Sequence, residues 1–259
     1  MNDHLRILQN NLHKSKERTH GILNDPDTKH YAVLLLQEQY WSRYTKSSPT
    51  HHAWTLIEPP TTSKTPRTAI YTNNCLLSAS QVTPMELPFS DTTAIAITTT
   101  DTSKPALIIN IYNPCNNSIL ADLHDYLHTN ININEYGTVI IAGDFNTHHP
   151  LWNPTGYTRH DEEADTLVDM MAELGLSLMS EPGIVTFPNA GTTIDLVWGN
   201  DEAVNRTITC QIAKKNDYGS DHLPIETTIA QQTPKIDPTA AYNYSRTDWK
   251  ELNNNTYQT

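Results

Sequence analysis

Gly143-Asp144-Phe145-Asn146 follows the run Val139-Ile140-Ile141-Ala142 and so places a carboxylate and an amide at the end of an apolar stretch. A continuous run rich in β-branched residues, stopped by Gly, predicts a central strand covered on both faces. Reacting groups gather beyond the ends of such strands. Asp144 is suited to act as a base or a metal ligand, and Asn146 to hydrogen-bond a charged oxygen. Gly-Asp-x-Asn is also good turn chemistry, so the fragment alone leaves both readings open.

Four more fragments repeat the pattern: Leu8-Gln9-Asn10-Asn11-Leu12, Val33-Leu34-Leu35-Leu36-Gln37-Glu38, Thr193-Ile194-Asp195-Leu196-Val197-Trp198 and Ser220-Asp221-His222-Leu223-Pro224-Ile225. Each sets Asp, Glu, Asn or His where an apolar run starts or stops. Any one of them is explained by acids sitting at wet strand ends. Five in one chain of 259 residues make a constellation.

Asn11 in Leu-Gln-Asn-Asn-Leu, Glu38 in Leu-Gln-Glu, Tyr112 in Asn-Ile-Tyr-Asn-Pro, Asp144 and Asn146 in Gly-Asp-Phe-Asn, Asp195 in Ile-Asp-Leu, and Asp221 with His222 in Ser-Asp-His resemble, in order, the motifs of the endonuclease/exonuclease/phosphatase family. The resemblance runs from about Leu5 to about Ala230. Its closest look is to the endonucleases of non-LTR retrotransposons, through Asp144-Phe-Asn-Thr-His-His149-Pro-Leu-Trp152, the opening Leu8–Ser15 and the tail Tyr242–Trp249. That tail is similar to the segment leading toward a reverse transcriptase, so this reading expects one domain of a longer polyprotein or a degraded copy.

The resemblance implies a four-layer α/β sandwich, DNase I-like, with two packed mixed β-sheets flanked by helices. It implies a Mg²⁺-dependent (or Mn²⁺-dependent) DNA endonuclease that nicks a strand and leaves a 3′-hydroxyl to prime reverse transcription. Phosphodiester hydrolysis needs a cation to offset charge, an activated water and a stabiliser for the departing oxygen. Glu38 is the implied metal ligand, a hard carboxylate suited to Mg²⁺, with Asp221 and Asn11 assisting. Asp144 orients or deprotonates the water, and Asn146 holds water or phosphate. His222 donates to a phosphate oxygen, with Asp195 on its other ring nitrogen fixing the tautomer and raising the pKa. Asn11 and Tyr112 complete the ring of contacts.

For substrate, Tyr112, Asn146, His148 and Trp152 are the candidates. His148 is more simply explained, with His149, as one of an exposed His pair. Trp152 either stacks on or wedges the DNA or anchors its loop. Arg159 and His160 follow in the same loop, as DNA contacts or as solvated residues. Asn10 and Gln39 depart from the family pattern, which often has an apolar or aromatic residue and Pro at those places. Three competing readings remain: an abasic-site repair endonuclease, a phosphoesterase of the same fold and an inactive remnant.

The formal charge of −12 is the main objection to DNA binding, because backbone affinity comes largely from Lys and Arg. Acids facing metal and phosphate account for part of it. The rest predicts weak DNA binding by this domain alone, and a basic partner elsewhere. Cys75, Cys115 and Cys210 form no C-x-x-C pair, which suggests reduced, mostly buried thiols, and the 12 His lack cysteine partners at zinc spacing. No apolar stretch approaches the ~20 residues of a membrane span, and the opening residues lack a signal peptide. The expected location is nuclear or cytoplasmic, and the isolated domain is expected to be a monomer.

Hydrophobic patterning predicts strands at Leu5–Leu8, Ala32–Gln37, Trp54–Glu58, Ala69–Tyr71, Thr93–Thr99, Ala106–Tyr112, Thr138–Ala142, Asp195–Trp198, Thr207–Ile212 and Ile225–Ile229. Helices are predicted at Lys14–Asn24, Ile119–Thr129 and Glu163–Leu174, the last stopped by Gly175. Pro59–Pro66, Asn73–Leu87 and His148–Asp161 read as loops. Residues 1–230 are expected to form the domain, and 231–259 a polar linker or tail.

Overall fold

The computed structural model describes residues 4–59, 65–213, 215 and 218–234. Its twelve strands are β1 (Leu5–Asn11), β2 (Val33–Gln37), β3 (Trp54–Ile57), β4 (Thr68–Asn73), β5 (Val82–Met85), β6 (Thr92–Ile97), β7 (Ala106–Tyr112), β8 (Val139–Asp144), β9 (Leu176–Leu178), β10 (Asp195–Asn200), β11 (Thr207–Ile212) and β12 (Ile225–Ile229). The helices are α1 (Lys16–Asn24), α2 (Leu120–Asn130), α3 (Glu162–Glu173) and α4 (Asp201–Arg206).

Two six-stranded sheets result, in the orders β11-β12-β1-β2-β4-β3 and β5-β6-β7-β8-β10-β9. Each contains one parallel pair, β1 with β2 and β7 with β8, among antiparallel neighbours. Between the sheets lie Leu5, Ile7, Val33, Leu35 and Ile70 from one, with Ile95, Ile108, Ile140 and Val197 from the other. On the outer face of the first sheet, Ile22 and Leu23 of α1 cover Leu8, Leu34 and Leu36. On the second, Leu120, Leu123 and Leu127 of α2 join Leu167, Met170 and Met171 of α3 over Ile109, Ile111 and Ile141. The continuous apolar runs therefore mark strands buried on both faces, and each fully buried aliphatic side chain contributes roughly 1.5–3 kcal/mol. This is the four-layer α/β sandwich expected from the motifs.

The boundaries explain how the site is aimed. Ser15 caps α1 by accepting from Arg18 N at 3.2 Å. Three acids, Glu162, Glu163 and Asp165, occupy the first turn of α3, where the helix dipole favours them. Gly143 is obligatory for a different reason: a Cβ there would stand 1.9 Å from the Ile111 carbonyl oxygen of the adjacent strand β7. Only glycine lets β7 and β8 run this close while delivering Tyr112 and Asp144 side by side as register partners.

Among the described strands and α-helices, three escaped the sequence reading: β5, β9 and α4; the thiols expected to be mostly buried are not, since Cys75 and Cys115 are exposed. β5 lies in the expected 73–87 loop and carries Pro84, tolerable because β5 is an edge strand. Gln231 and Thr233 are buried, and Thr100 N donates to Gln232 O at 3.0 Å, so the chain stays on the domain through Pro234. The tail motif Tyr242–Trp249 and most of the expected linker lie outside the described residues. Among the described residues, no helix is long and apolar enough to cross a membrane.

Candidate active site

Both sheets bring strand ends to one rim, and the motif residues meet there. From the first sheet, β1 ends in Asn11 and β2 leads into Glu38. From the second, β7 ends in Tyr112, β8 in Asp144, and β10 begins at Asp195. The loop before β12 supplies Asp221 and His222.

Asp144 lies at the centre. It is 1 % exposed, accepts a hydrogen bond from Asn11 Nδ2 at 2.8 Å and another from Asn146 N at 3.1 Å. Asn146 holds this position with a left-handed φ of 49°, a backbone state that non-glycine residues adopt at a cost and that concentrates at functional sites. Its own amide donates to Asn113 O at 2.8 Å. Burial is the main force on the Asp144 carboxyl and raises its pKa; Asp195 adds to the rise, while His222 and the Asn11 and Asn146 hydrogen bonds oppose it.

His222 Nδ1 lies 2.9 Å from Asp195 Oδ2, and its Nε2 lies 4.0 Å from Asp144 Oδ2. The other Asp195 oxygen accepts from Gln9 Nε2 at 3.3 Å, and Phe187 packs on the imidazole with ring centroids 4.8 Å apart. Burial pulls the His222 pKa down. The Asp195 charge and hydrogen bond, with Asp144 and Asp221, outweigh it and hold the pKa at about 9. An imidazolium is therefore favoured at neutral pH, with Nε2–H turned toward Asp144.

Glu38 is buried and takes a left-handed φ of 44°. Lys14 Nζ lies 2.9 Å from its carboxylate. The Tyr112 phenol sits beside it, and burial first, then the Glu38 and Asp144 charges, raise the phenol pKa. The Arg67 guanidinium stacks 4.8 Å above the Tyr112 ring. Asp221 is held by His13 Nδ1 at 3.1 Å and by Arg18 at 3.9 Å, and Ser220 Oγ donates to Asn11 O at 2.6 Å.

The loop residues divide. His148 lines an open pocket of about 720 Å³ with Cys115, Asn146, Arg159 and Phe187. Trp152 does not reach it. Its side chain is fully buried against the core, and Nε1 donates to Thr147 O at 3.3 Å. It anchors the loop and is removed from the substrate-contact set, because an indole enclosed by α3 and β10 has no face to offer a base. Sequence reading passed over Gln9, which the period-two alternation of β1 places on the same face as Asn11. It also passed over Arg67 and Phe187, which no spacing rule connects to the motifs.

Two clusters among the described residues have metal-binding donor types. Asp144, Asp195 and His222 bring ligand atoms within 4.8 Å of one another, fully inside the site. His149, His160 and Asp165 do the same near the surface. In the second, His149 Nδ1 accepts from Leu151 N at 2.9 Å. That puts a proton on Nε2, the nitrogen facing Asp165, opposite to the usual ligand arrangement in which the far nitrogen donates.

Fold and strand topology together form a DNase I-like four-layer sandwich. Residues 106–226 match the family model described as endonuclease-reverse transcriptase, so the resemblance read from the motifs is borne out. Among solved structures, the endonuclease domain of TRAS1, a telomere-specific non-LTR retrotransposon, is similar at 18 % identity and TM-score 0.68, covering 87 % of this chain and 98 % of that one. The AP endonuclease LMAP from Leishmania major is similar at 14 % identity and TM-score 0.66, covering 89 % and 88 %. The 3′ phosphatase NExo (D146N) from Neisseria, bound to a product DNA hairpin, follows at 14 % and 0.60, covering 86 % and 98 %. No curated protein sequence matches.

Proposed function

We propose that this chain is a divalent-metal-dependent DNA endonuclease that hydrolyses a phosphodiester to leave a 3′-hydroxyl and a 5′-phosphate, the chemistry that primes reverse transcription. The observation that carries the reading is the buried Asp195–His222–Asp144 line, with His222 held by one carboxylate and aimed at the other. The family match and the nuclease identity of the similar structures support it.

Asp144 takes the proton of the attacking water, a role for which its raised pKa suits it. Asn146 and Asn11 orient that water and the phosphate. His222 donates through Nε2 to a phosphate oxygen as negative charge grows there, and Asp195 keeps Nδ1 protonated. Tyr112 donates its phenolic hydrogen to a second phosphate oxygen. The P–O3′ bond breaks, and the 3′-oxygen leaves to take up a proton. His148, which lines the adjoining pocket, contacts the neighbouring nucleotide.

The donor set fits a hard divalent cation. Glu38, Asp144 and Asp195 bury three carboxylates near one imidazole and one lysine, an excess of oxygen charge that Mg²⁺ or Mn²⁺ would offset. Glu38 would be its main ligand, with Asp221 and Asn11 assisting. Such an ion supplies charge stabilisation to the phosphate and the leaving oxygen. We further propose a monomeric nuclease domain, acting in the nucleus or cytoplasm as part of a polyprotein with a reverse transcriptase.

Nicking of supercoiled plasmid with Mg²⁺ or Mn²⁺ tests the reading. Nicks that vanish with EDTA and in Asp144→Ala/His222→Ala, and that a DNA polymerase extends without further processing, are expected. A well-folded protein that never nicks would overturn it.

A further inference from the structure

The segment after Glu38 is unlike the rest of this acidic chain. From Gln39 to Ile57 it contains Arg43 and Lys46 and no Asp or Glu. Residues 42–47 fold back as a small hairpin: Ser42 N donates to Ser47 O at 3.0 Å, Thr45 N donates to Ser42 Oγ at 3.3 Å, and Lys46 takes a left-handed φ of 50°.

The base of this hairpin is fixed. The Glu58 carboxylate accepts from Ser47 Oγ at 3.1 Å, Ser48 N at 3.1 Å and Ser48 Oγ at 2.5 Å. Tyr71 OH donates to Pro49 O at 2.8 Å. Glu58, the next acid along the chain, is thus occupied by serines rather than by the tip cations, and Glu38, the preceding one, pairs with Lys14. Among the described residues, neither Arg43 nor Lys46 has an ion-pair partner, and both are exposed. Tyr44 between them is 99 % exposed.

The segment also leaves the rim beside other cations. Tyr40 N donates to Thr19 Oγ1 at 2.9 Å, and Lys16 Nζ lies 5.9 Å from the Tyr40 ring. The chain therefore crosses the start of α1, next to the Lys14 that pairs with Glu38. Lone exposed aromatics need no explanation. An aromatic fully bared between two unpaired cations, on a rigid base, is the combination that grips a nucleic-acid strand, with cations on phosphates and the ring on a base or sugar.

We propose that residues 43–46 are a DNA-gripping finger that holds the strand flanking the cut on the Glu38 side. It localises affinity that the overall charge of −12 would otherwise oppose. This rests on the endonuclease reading above.

Binding of a fluorescently labelled DNA duplex, measured by anisotropy in EDTA so that no cutting is required, tests the finger. Arg43→Glu/Lys46→Glu should weaken binding about tenfold or more and reduce the slope of log Kd against log salt by about 2, near 0.9 per lost phosphate contact. Tyr44→Ala should weaken it by about fivefold or more, and Arg43→Lys should restore most of the affinity. Lys104→Glu is the control, since Lys104 precedes β7 at the end opposite Tyr112. A double variant that binds no worse than Lys104→Glu, or with an unaltered salt slope, overturns the proposal, as does a wild-type chain that binds no DNA. Finger-dependent binding without any nicking would leave the finger standing and remove the nuclease reading instead.

Discussion

Arg67 and Asp91 tie the two sheets together at the rim. The guanidinium binds the buried Asp91 carboxylate through Nε and Nη2, both at 2.6 Å. The backbones of the same two residues carry the site: Glu38 N donates to Arg67 O at 2.8 Å, and Tyr112 N donates to Asp91 O at 2.9 Å. One ion pair thus spaces a carboxylate of the first sheet from a phenol of the second, and the guanidinium stacks on that phenol besides.

A double-mutant cycle measures this tie. Arg67→Met, Asp91→Asn and the double variant, unfolded in urea, should show a coupling of about 1–3 kcal/mol, the upper part of the range for contacting pairs. Additive effects would mean that the backbone ladders alone hold the two sheets in register.

His222 gives the protein a pH signature. Its folded pKa of about 9 stands above the ordinary 6.5, so the protonated ring stabilises the fold. That contribution is fully present below pH 6.5 and is lost as pH rises through about 9. In metal-free protein, the imidazole ¹H–¹⁵N signals should show His222 charged at pH 7.5. Asp195→Asn should drop its pKa below 6.5, because burial then acts with the largest favourable charge removed. A His222 that titrates near 6.5 in the wild type would refute the assignment.

Asn10 offers a stabilising substitution. It is 1 % exposed, and neither amide atom has a hydrogen-bond partner among the described residues. It points to the α1 side of β1, between Leu8 and Leu12, which belong to the apolar cluster there. Asn10→Leu should raise the unfolding free energy by about 1 kcal/mol, since an unpaired buried amide costs about 1–3 kcal/mol. Equal or lower urea midpoints would show that the amide is satisfied by water.

Most of the frame was legible because its causes are local. β7, β11 and β12 stand at the bounds that hydrophobic patterning predicts, and the site motifs sit at strand ends where alternation and punctuation place them. Short elements without a core-facing run left little signal: β9 has three residues, and α4 is set by the Asn200 side chain accepting from Ala203 N. Trp152 shows the limit for single residues. An aromatic in a His- and Pro-rich loop reads equally well as a probe for substrate or as an anchor, and only the packing of α3 and β10 decides. The Arg67–Asp91 pair spans 24 positions between unremarked loops, so nothing in the chain announces it.

The register of β1 sets a schedule for the working protein. Leu5 pairs with Ile229 and Gln9 with Ile225, so the first sheet closes only by joining segments more than two hundred residues apart in sequence. Such long-range pairing is slow to form. On the ribosome, Glu38 and Asp144 emerge well before β12, the partner strand of β1, and the loop that carries His222. The nascent chain therefore holds Glu38 and Asp144 apart from His222 until nearly the whole domain is out, and a half-made copy lacks the Asp195–His222–Asp144 line.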